Sequence, residues 1–368
     1  IKKHSIKNID MVICNLYQFE KVINTNDFKH DDAIENIDIG GSSILRAAAK
    51  NYSDLIVIMD PDDYDFIADC LVKNKLDETI RKKLASKVFN FLSNYDKQIS
   101  KYLSSNNDLE FPQDLTYENL RYGENPHQLG ILLKKNLDYG IANSRILSGK
   151  KMSYNNYLDA DVAFLSSHSF EKNCVSIVKH SNVCGLSIDN NQAKAFKKAL
   201  EGDPISSYGG ILGFNTEVNP EAAKQIIKNF FEIIVAPKFS KESLEILKTK
   251  KNLRIIVSKF KESEDLFFRS ISGGLLAQSQ NIIEDYNFKI VSENKPDSQQ
   301  LIDLKFAWDL SSFIKSNSIL LVKDKTLLGM GAGQPNRVMS VKIAGAVAGK
   351  KSKGSILASD AFFAFIDS

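Results

Sequence analysis

The sequence predicts an α/β fold, and three observations carry that expectation. Short apolar runs alternate along the chain with longer amphipathic stretches, as α/β layering requires. Several of those runs are continuously apolar and bounded by polar residues, which suits strands buried on both faces. Hydrophobic residues make up 43% and charged residues 25% of the 368 positions, an ordinary globular balance. At roughly 150 residues per domain, the length suggests two or three domains.

Asp10-Met-Val-Ile-Cys-Asn15 reads as a buried strand. Ser42 to Asn51 reads as a helix, opened by the Gly40-Gly41 pair, capped by Ser42 or Ser43, and carried by Arg46-Ala-Ala-Ala-Lys50. Leu55 to Met59 is a second strand, ended by Asp60-Pro61. Residues 62–104 are expected to be helical, with Arg81, Lys82, Lys83 and Lys87 on a solvated face. Ser104 to Asp108 is polar and turn-forming, so a domain boundary is placed there, dividing 1–107 from 108–368. Beyond it, strands are expected near 176–178, 211–214, 233–235, 255–257 and 319–322, and helices near 192–200, 220–229, 240–248 and 303–315. About 260 residues are many for one domain, so two similar sub-modules are plausible, although no internal repeat is visible.

Lys plus Arg number 48 against 45 Asp plus Glu, so the net charge of +3 leaves no polycation for a nucleic-acid backbone. No run reaches the ~18 apolar residues that cross a bilayer. The four cysteines, Cys14, Cys70, Cys174 and Cys184, are scattered and form no CxxC pair. They are expected to be free thiols in a reducing cytoplasm, with no zinc site. The chain opens at Ile1 without an initiator Met and stops at Asp367-Ser368 directly after an apolar run, so both ends are expected to be cut.

Five polar clusters beside apolar runs are candidates for chemistry. Asp38-Ile-Gly-Gly41 opens a helix whose free N–H groups suit an anion or oxyanion, with Lys50 on the same helix; a plain Gly-Gly turn is the simpler alternative. Leu120-Arg-Tyr-Gly-Glu-Asn-Pro-His127 joins a guanidinium and an imidazole in a turn. Val178-Lys-His-Ser-Asn-Val-Cys-Gly185 follows a strand and sets Lys179 beside His180, where a neighbouring cation keeps imidazole neutral and basic. Asp203-Pro-Ile-Ser-Ser-Tyr-Gly-Gly210 is either a ligand loop or a connecting turn. Lys315-Ser-Asn-Ser318 and Gly329-Met-Gly-Ala-Gly-Gln-Pro-Asn-Arg337 flank a strand. The latter misses the GxGxxG spacing, so it reads as a Gly-rich turn delivering Arg337 to an anion and not as a dinucleotide site. These clusters describe an α/β enzyme with an anionic small substrate, without naming the reaction.

In their order, the clusters resemble the bifunctional purine biosynthesis family that combines AICAR transformylase with IMP cyclohydrolase. The matching segments are Asn15-Leu-Tyr17, Ile37-Asp-Ile-Gly-Gly41, Leu45-Arg-Ala-Ala-Ala-Lys-Asn51, Leu120-Arg-Tyr-Gly-Glu-Asn-Pro-His-Gln128 and Ser153-Tyr-Asn-Asn156. They continue through Lys179-His180, Ile234-Val-Ala-Pro237, Ser272-Gly-Gly-Leu-Leu276, Ser316-Asn-Ser318, Gly331-Ala-Gly-Gln334 and Leu357-Ala-Ser-Asp-Ala-Phe-Phe363. The resemblance implies a methylglyoxal-synthase-like cyclohydrolase domain followed by two cytidine-deaminase-like α/β sub-modules without zinc. It also implies a homodimer with the transformylase site at the subunit interface, and no metal requirement.

Two reactions follow from the resemblance: formyl transfer from the co-substrate 10-formyltetrahydrofolate to AICAR, giving formyl-AICAR (FAICAR), then dehydrative closure to IMP. Lys179, His180 and Asn317 match the transformylase catalysts. Arg121, Tyr122, His127, Gly209, Glu232, Arg337 and Phe362 match substrate-binding positions. Tyr17, Asp38 and Lys50 match cyclohydrolase active-site residues; Asp38 reads as a base, and Gly40, Gly41 and Lys50 suit the oxyanion or phosphate.

Departures from the family pattern are Val183 and Gln18 where Pro is usual, Ala364 where Pro follows the aromatic pair, and Ile366 where Arg is usual. The first two change loop stiffness only; the last two bear on folate or nucleotide contacts. A lysine-containing phosphate-gripping segment is expected upstream of Ile1 and a further Arg beyond Ser368. The competing reading is a monofunctional transformylase with a vestigial cyclohydrolase domain. A non-catalytic nucleotide-binding protein would have lost the Lys-His pair or Asn317, and a zinc deaminase needs cysteine spacing that is absent.

Overall fold

The computed structural model describes residues 8–25, 27–104, 115–171, 173–261, 266–279, 281 and 288–363. The chain divides into two units, Ile1–Glu110 and Phe111–Ser368. The expected boundary at 107/108, Ala364 and Ile366 lie outside the described residues.

In the first unit, β1 (Met11–Ile13), α1 (Phe19–Ile23), α2 (His30–Glu35), α3 (Ile39–Lys50), β2 (Ile56–Ile58), α4 (Tyr64–Val72) and α5 (Glu78–Leu103) follow in order. β1 pairs with β2 in parallel. The core is Leu45, Ala48 and Ala49 of α3, all of β2, Ile67, and Leu84, Val88 and Leu92 of α5. Burying one such Leu contributes about 1.5–3 kcal/mol. Only β2 is fully buried; β1, expected to be so, leaves Ile13 54% exposed.

Two expectations are corrected here. Helix α3 begins three residues earlier than expected, because Asp38, not Ser42 or Ser43, caps it, accepting from the Gly41 N–H at 2.7 Å. The glycines therefore sit inside the first turn. A Cβ on Gly41 would meet the Asp38 carboxylate at 2.7 Å, so the cap itself demands glycine. The stretch 62–104 is two helices. Asn74, left-handed at φ 51, ends α4, as such residues commonly do. Asp77 caps α5 by accepting from Ile80 N–H at 2.9 Å.

The second unit contains β3 (Leu115–Asn119), β4 (Ile131–Lys135), β5 (Arg145–Ser148), α6 (Tyr154–His168), β6 (Cys174–Lys179), β7 (Asn182–Ile188), α7 (Gln192–Gly202), β8 (Ile211–Phe214), α8 (Pro220–Ile226), β9 (Ile233–Ala236), α9 (Lys241–Lys248) and β10 (Arg254–Val257). It continues with β11 (Phe267–Ile271), β12 (Gly274–Gln278), α10 (Ser298–Ser311), β13 (Ile319–Lys323), β14 (Thr326–Gly331), α11 (Arg337–Ala348) and β15 (Ile356–Ser359). Nine strands form one mixed sheet in the order β15-β13-β14-β7-β6-β8-β9-β10-β5. Helices α6 and α10 contribute to the core on one face; α7, α8 and α9 pack on the other. Close approach needs glycine: a Cβ on Gly213 would lie 2.0 Å from the Ala163 carbonyl of α6, and one on Gly331 2.1 Å from the Ser340 carbonyl of α11.

The structure reveals a repeat that the sequence conceals. Helix-strand-strand-helix-strand occurs twice, as α6-β6-β7-α7-β8 and as α10-β13-β14-α11-β15. The two copies join through antiparallel β7 and β14, so one is turned end for end relative to the other. Residues 153–188 then align with 297–332 without a gap, matching Asp159 with Asp303, Asn173 with Asn317, Lys179 with Lys323 and Gly185 with Gly329. Both hairpins are left-handed at their two central residues: His180 and Ser181 at φ 52 and 57, Asp324 and Lys325 at φ 50 and 51.

Candidate active site

Strand directions gather most of the candidate transformylase residues at one end of the sheet. β6 finishes there with Lys179 and His180. Antiparallel β8 enters there, with Ile211 opposite Val178, which brings Gly209 to the same end. Parallel β9 and β10 also enter there, bringing Glu232 and Arg254. On the other side, β14 finishes beside the start of β7. β13 begins there, with Ile319 opposite Gly331, and β15 finishes there, with Ser359 opposite Ile319. Asn317, Arg337 and Asp360 therefore share the end that holds the Lys-His turn.

The turn itself is held from two directions. The Asp159 carboxylate of α6 accepts from His180 N–H at 3.1 Å and from Ser181 N–H at 2.6 Å. Two consecutive left-handed residues with side chains each cost roughly 1 kcal/mol, and charge-assisted bonds of this kind offset that cost. The Lys179 ammonium donates to the Tyr208 carbonyl at 2.8 Å. Behind it the Cys184 thiol is buried, its pKa pushed up to about 12 by desolvation, so it is no nucleophile at neutral pH.

The Arg337 guanidinium donates to the Asp360 carboxylate, to Ser359 Oγ at 2.9 Å and to the Asn317 side-chain carbonyl at 2.6 Å. Asn317 in turn donates to the Gln334 carbonyl at 2.8 Å. Burial alone would raise the Asp360 carboxyl, but hydrogen bonds from Ser316, Arg337 and the Ser318 N–H outweigh it and hold it below the usual carboxylate range. The expected Gly-rich turn is corrected: Gly329, Met330 and Gly331 belong to β14, and Arg337 is the first residue of α11.

Glu232 accepts from Asn156 at 3.1 Å and pairs with Arg254 at 3.7 Å. The loop carrying Arg121, Tyr122 and His127 joins β3 to β4. It reaches this end through Asn155, which donates to the Glu124 carbonyl at 3.3 Å, and Arg121 lies over the Tyr122 ring. Gly209 is left-handed at φ 71, and Phe362 is 82% exposed.

In the first unit, Asp38 also accepts from Tyr17 N–H at 3.4 Å, so Tyr17 and the α3 N-terminus are brought together. Asp38 N–H donates to Tyr95 Oη at 2.9 Å. Lys50 is not part of this group. It ends α3, and at 1.5 Å per residue it stands about 15 Å along the helix from Gly40 and Gly41.

The sequence alone does not mark Asp159, Asn156, Arg254 and Asp360 as site residues. Asn156 and Asp360 lie within segments that mark the family, and that was the available signal. Asp159 and Arg254 carry none. Among the described residues no group of three His, Cys, Asp or Glu could hold a metal ion, and no helix is long and apolar enough to cross a membrane.

Residues 48–347 match the family described as the AICARFT/IMPCHase bienzyme. The chain is 42% identical to the bifunctional purine biosynthesis protein PurH of Thermoanaerobacter sp. (strain X514), over 100% of this chain and 74% of the relative. It is 41% identical to that of Dictyostelium discoideum, over 100% and 76%. With that of a Bacillus cereus strain it shares 43%, over 98% and 73%. A match of this extent, together with a sheet end that collects the family's marked residues, shows that the chain belongs to the AICARFT/IMPCHase bienzyme family.

Proposed function

We propose that this protein catalyses the last two steps of de novo purine synthesis: formyl transfer from 10-formyltetrahydrofolate to AICAR, and closure of FAICAR to IMP. The observation that carries this reading is the single sheet end holding Lys179, His180, Glu232, Asn317 and Arg337. From β6 to β13 is three interstrand steps of ~4.8 Å, about 14 Å, room for a small substrate with side chains reaching in from either side.

The AICAR amine is conjugated with its ring and nucleophilic only as its proton leaves. His180 accepts that proton, directly or through the neighbouring carboxamide. The new N–C bond forms at the formyl carbon. Lys179 stabilises the oxyanion as the C–N bond to folate breaks and the folate nitrogen takes up a proton. Arg337, fixed by Asp360, and Asn317 orient the nucleotide, with Arg121, Tyr122, His127, Gly209 and Phe362 around it. Glu232, tied to Arg254 and Asn156, offers an acceptor for ribose hydroxyls.

Ring closure belongs to the first unit, read as methylglyoxal-synthase-like, and formyl transfer to the second, whose two repeats read as deaminase-like modules. Tyr17 acts beside the α3 N-terminus. Asp38 spends its carboxylate on Gly41 and Tyr17, which favours an orienting role over that of a free base. Lys50 serves a different part of the substrate. A homodimer is supported by the β11–β12 hairpin, where Phe268 and Leu275 are each 64% exposed. The free state of all four cysteines is consistent with a cytoplasmic protein.

The test compares wild type with His180→Ala, following FAICAR and IMP separately. Wild type is expected to make IMP from AICAR. The variant is expected to make neither product, yet still to close added FAICAR. A wild type without formyl transfer sinks the reading.

A further inference from the structure

We propose that Asp159 is a positioning residue of formyl transfer, whose carboxylate fixes the backbone from which His180 reaches the substrate. The proposal rests on His180 being the proton acceptor, as read above. Two-residue hairpins left-handed at both positions favour Asn-Gly or Asp-Gly, whereas this one holds His180 and Ser181. Side-chain-bearing residues persist in that conformation where the surroundings over-determine it. Here one carboxylate does so: it takes the His180 N–H at 3.1 Å, the Ser181 N–H at 2.6 Å and Ser181 Oγ at 3.3 Å. Asp159 projects from α6, whose first turn is locked by a reciprocal cap between Ser153 and Asn156, and Asn156 also reaches Glu232. Helix, hairpin and the entry to β9 are thereby tied together at the site.

The second repeat supplies an internal control. Asp303 of α10 accepts from Asp324 N–H at 2.9 Å and Lys325 N–H at 2.8 Å, holding a hairpin of the same hand. That hairpin lies at the opposite end of the sheet and carries none of the candidate reacting groups. One device is thus used twice, once to hold a hairpin and once to hold a hairpin that bears the base. A base must lie within hydrogen-bond reach of its proton, and displacement by about 1 Å can cost on the order of 10²-fold in rate. Asparagine at 159 keeps the shape but offers one oxygen to two N–H donors and turns an NH2 toward the second.

The experiment measures formyl transfer to AICAR, thermal midpoint and closure of added FAICAR for wild type, Asp159→Asn, Asp303→Asn and His180→Ala. Asp159→Asn is expected to lower kcat for formyl transfer about 10- to 100-fold, with KM for AICAR changed less than about twofold. Asp303→Asn, at an aspartate only 4% exposed, is expected to lose at least as much thermal stability but to transfer formyl at the wild-type rate. Both should close FAICAR normally. Should Asp159→Asn fail to fold, Asp159→Glu, which keeps both oxygens but displaces them by a methylene, carries the same expectation. Wild-type kcat in the position-159 variant overturns the proposal, as does an equal loss in both aspartate variants. Full formyl transfer by His180→Ala overturns instead the reading of His180, and the proposal falls with it.

Discussion

Arg337 and Asp360 form an ion pair that also fixes Asn317, because the same guanidinium donates to the Asn317 side-chain carbonyl at 2.6 Å. Three residues from three segments, the entry to β13, the start of α11 and the exit from β15, are thus locked as one unit. The Arg337 side chain is only 13% exposed, so losing its partner leaves a largely buried charge.

Asp360→Ala is therefore expected to destabilise the second unit by about 2–4 kcal/mol and to lower formyl transfer by 10-fold or more. The pair also has a pH signature. The folded-state pKa of Asp360 is depressed, so its contribution is fully present above about pH 4, the ordinary carboxylate value, and is lost as pH falls through the lower folded value. Acid denaturation of wild type and Asp360→Asn should therefore converge at low pH. Curves that stay equally far apart from neutral to acid would contradict this.

Asp161 behaves in the opposite sense. Burial on α6 pushes its carboxyl up to about 6, so ionisation at neutral pH opposes folding. With the folded value raised, the favourable contribution is complete below about pH 4 and is lost as pH rises through 6. Asp161→Asn should gain about 1–3 kcal/mol at pH 8, a gain that shrinks to nothing by about pH 4. Thermal melts at pH 8, 6 and 4 decide it.

Two glycines associated with α11 should respond in opposite directions. A Cβ on Gly331 meets the Ser340 carbonyl at 2.1 Å, whereas one on Gly345, inside the helix, meets nothing within 4 Å. Gly331→Ala should destabilise by about 1–3 kcal/mol or more through overpacking. Gly345→Ala should stabilise by about 0.5–1 kcal/mol, since alanine restricts the unfolded chain. Midpoints in urea report both, and shifts of the same sign would refute the packing described for α11.

Tyr95 joins Asn36 and Asp38, donating to the Asn36 carbonyl at 3.1 Å and accepting from Asp38 N–H at 2.9 Å. Removing the hydroxyl in Tyr95→Phe leaves two partly buried backbone groups without it, at a cost of about 1–2 kcal/mol. Closure of FAICAR should slow severalfold, because Asp38 orients Tyr17, while formyl transfer stays unchanged. Equal loss of both activities would mean that Tyr95 matters only to global stability.

Continuous apolar runs such as Ile233–Ala236 and residues 319–322 of β13 are legible as strands because burial on both faces leaves no polar alternation to confuse. Helix α6 is not legible in the sequence because its buried face includes Ala160, Ser166, Ser167 and Asn156, small or polar residues that hide an amphipathic pattern. The repeat was hidden for a related reason. Asp159 and Asp303, and Gly185 and Gly329, match because backbone geometry demands them, whereas most of the apolar residues between them differ in the two copies. The break between α4 and α5 did have a signal, Asn74 followed by Asp77, but polar residues are common on helix surfaces and only the left-handed φ distinguishes a stop.

The order of the motifs along the chain by itself determined the family and named Lys179, His180, Asn317 and Arg337, since the residue types that do chemistry are few and stand in short, recognisable segments. The tertiary structure alone decided which of them meet. Strand direction brings the ends of β6 and β15 and the starts of β8, β9 and β13 to one end of the sheet, a property of pairing between segments far apart in sequence that no local pattern encodes. It also placed Asp159 beneath the His180 turn and Lys50 at the far end of α3. A hydrogen bond or a helix length is a distance in space, and the linear spacing of residues leaves that distance open until the chain has folded.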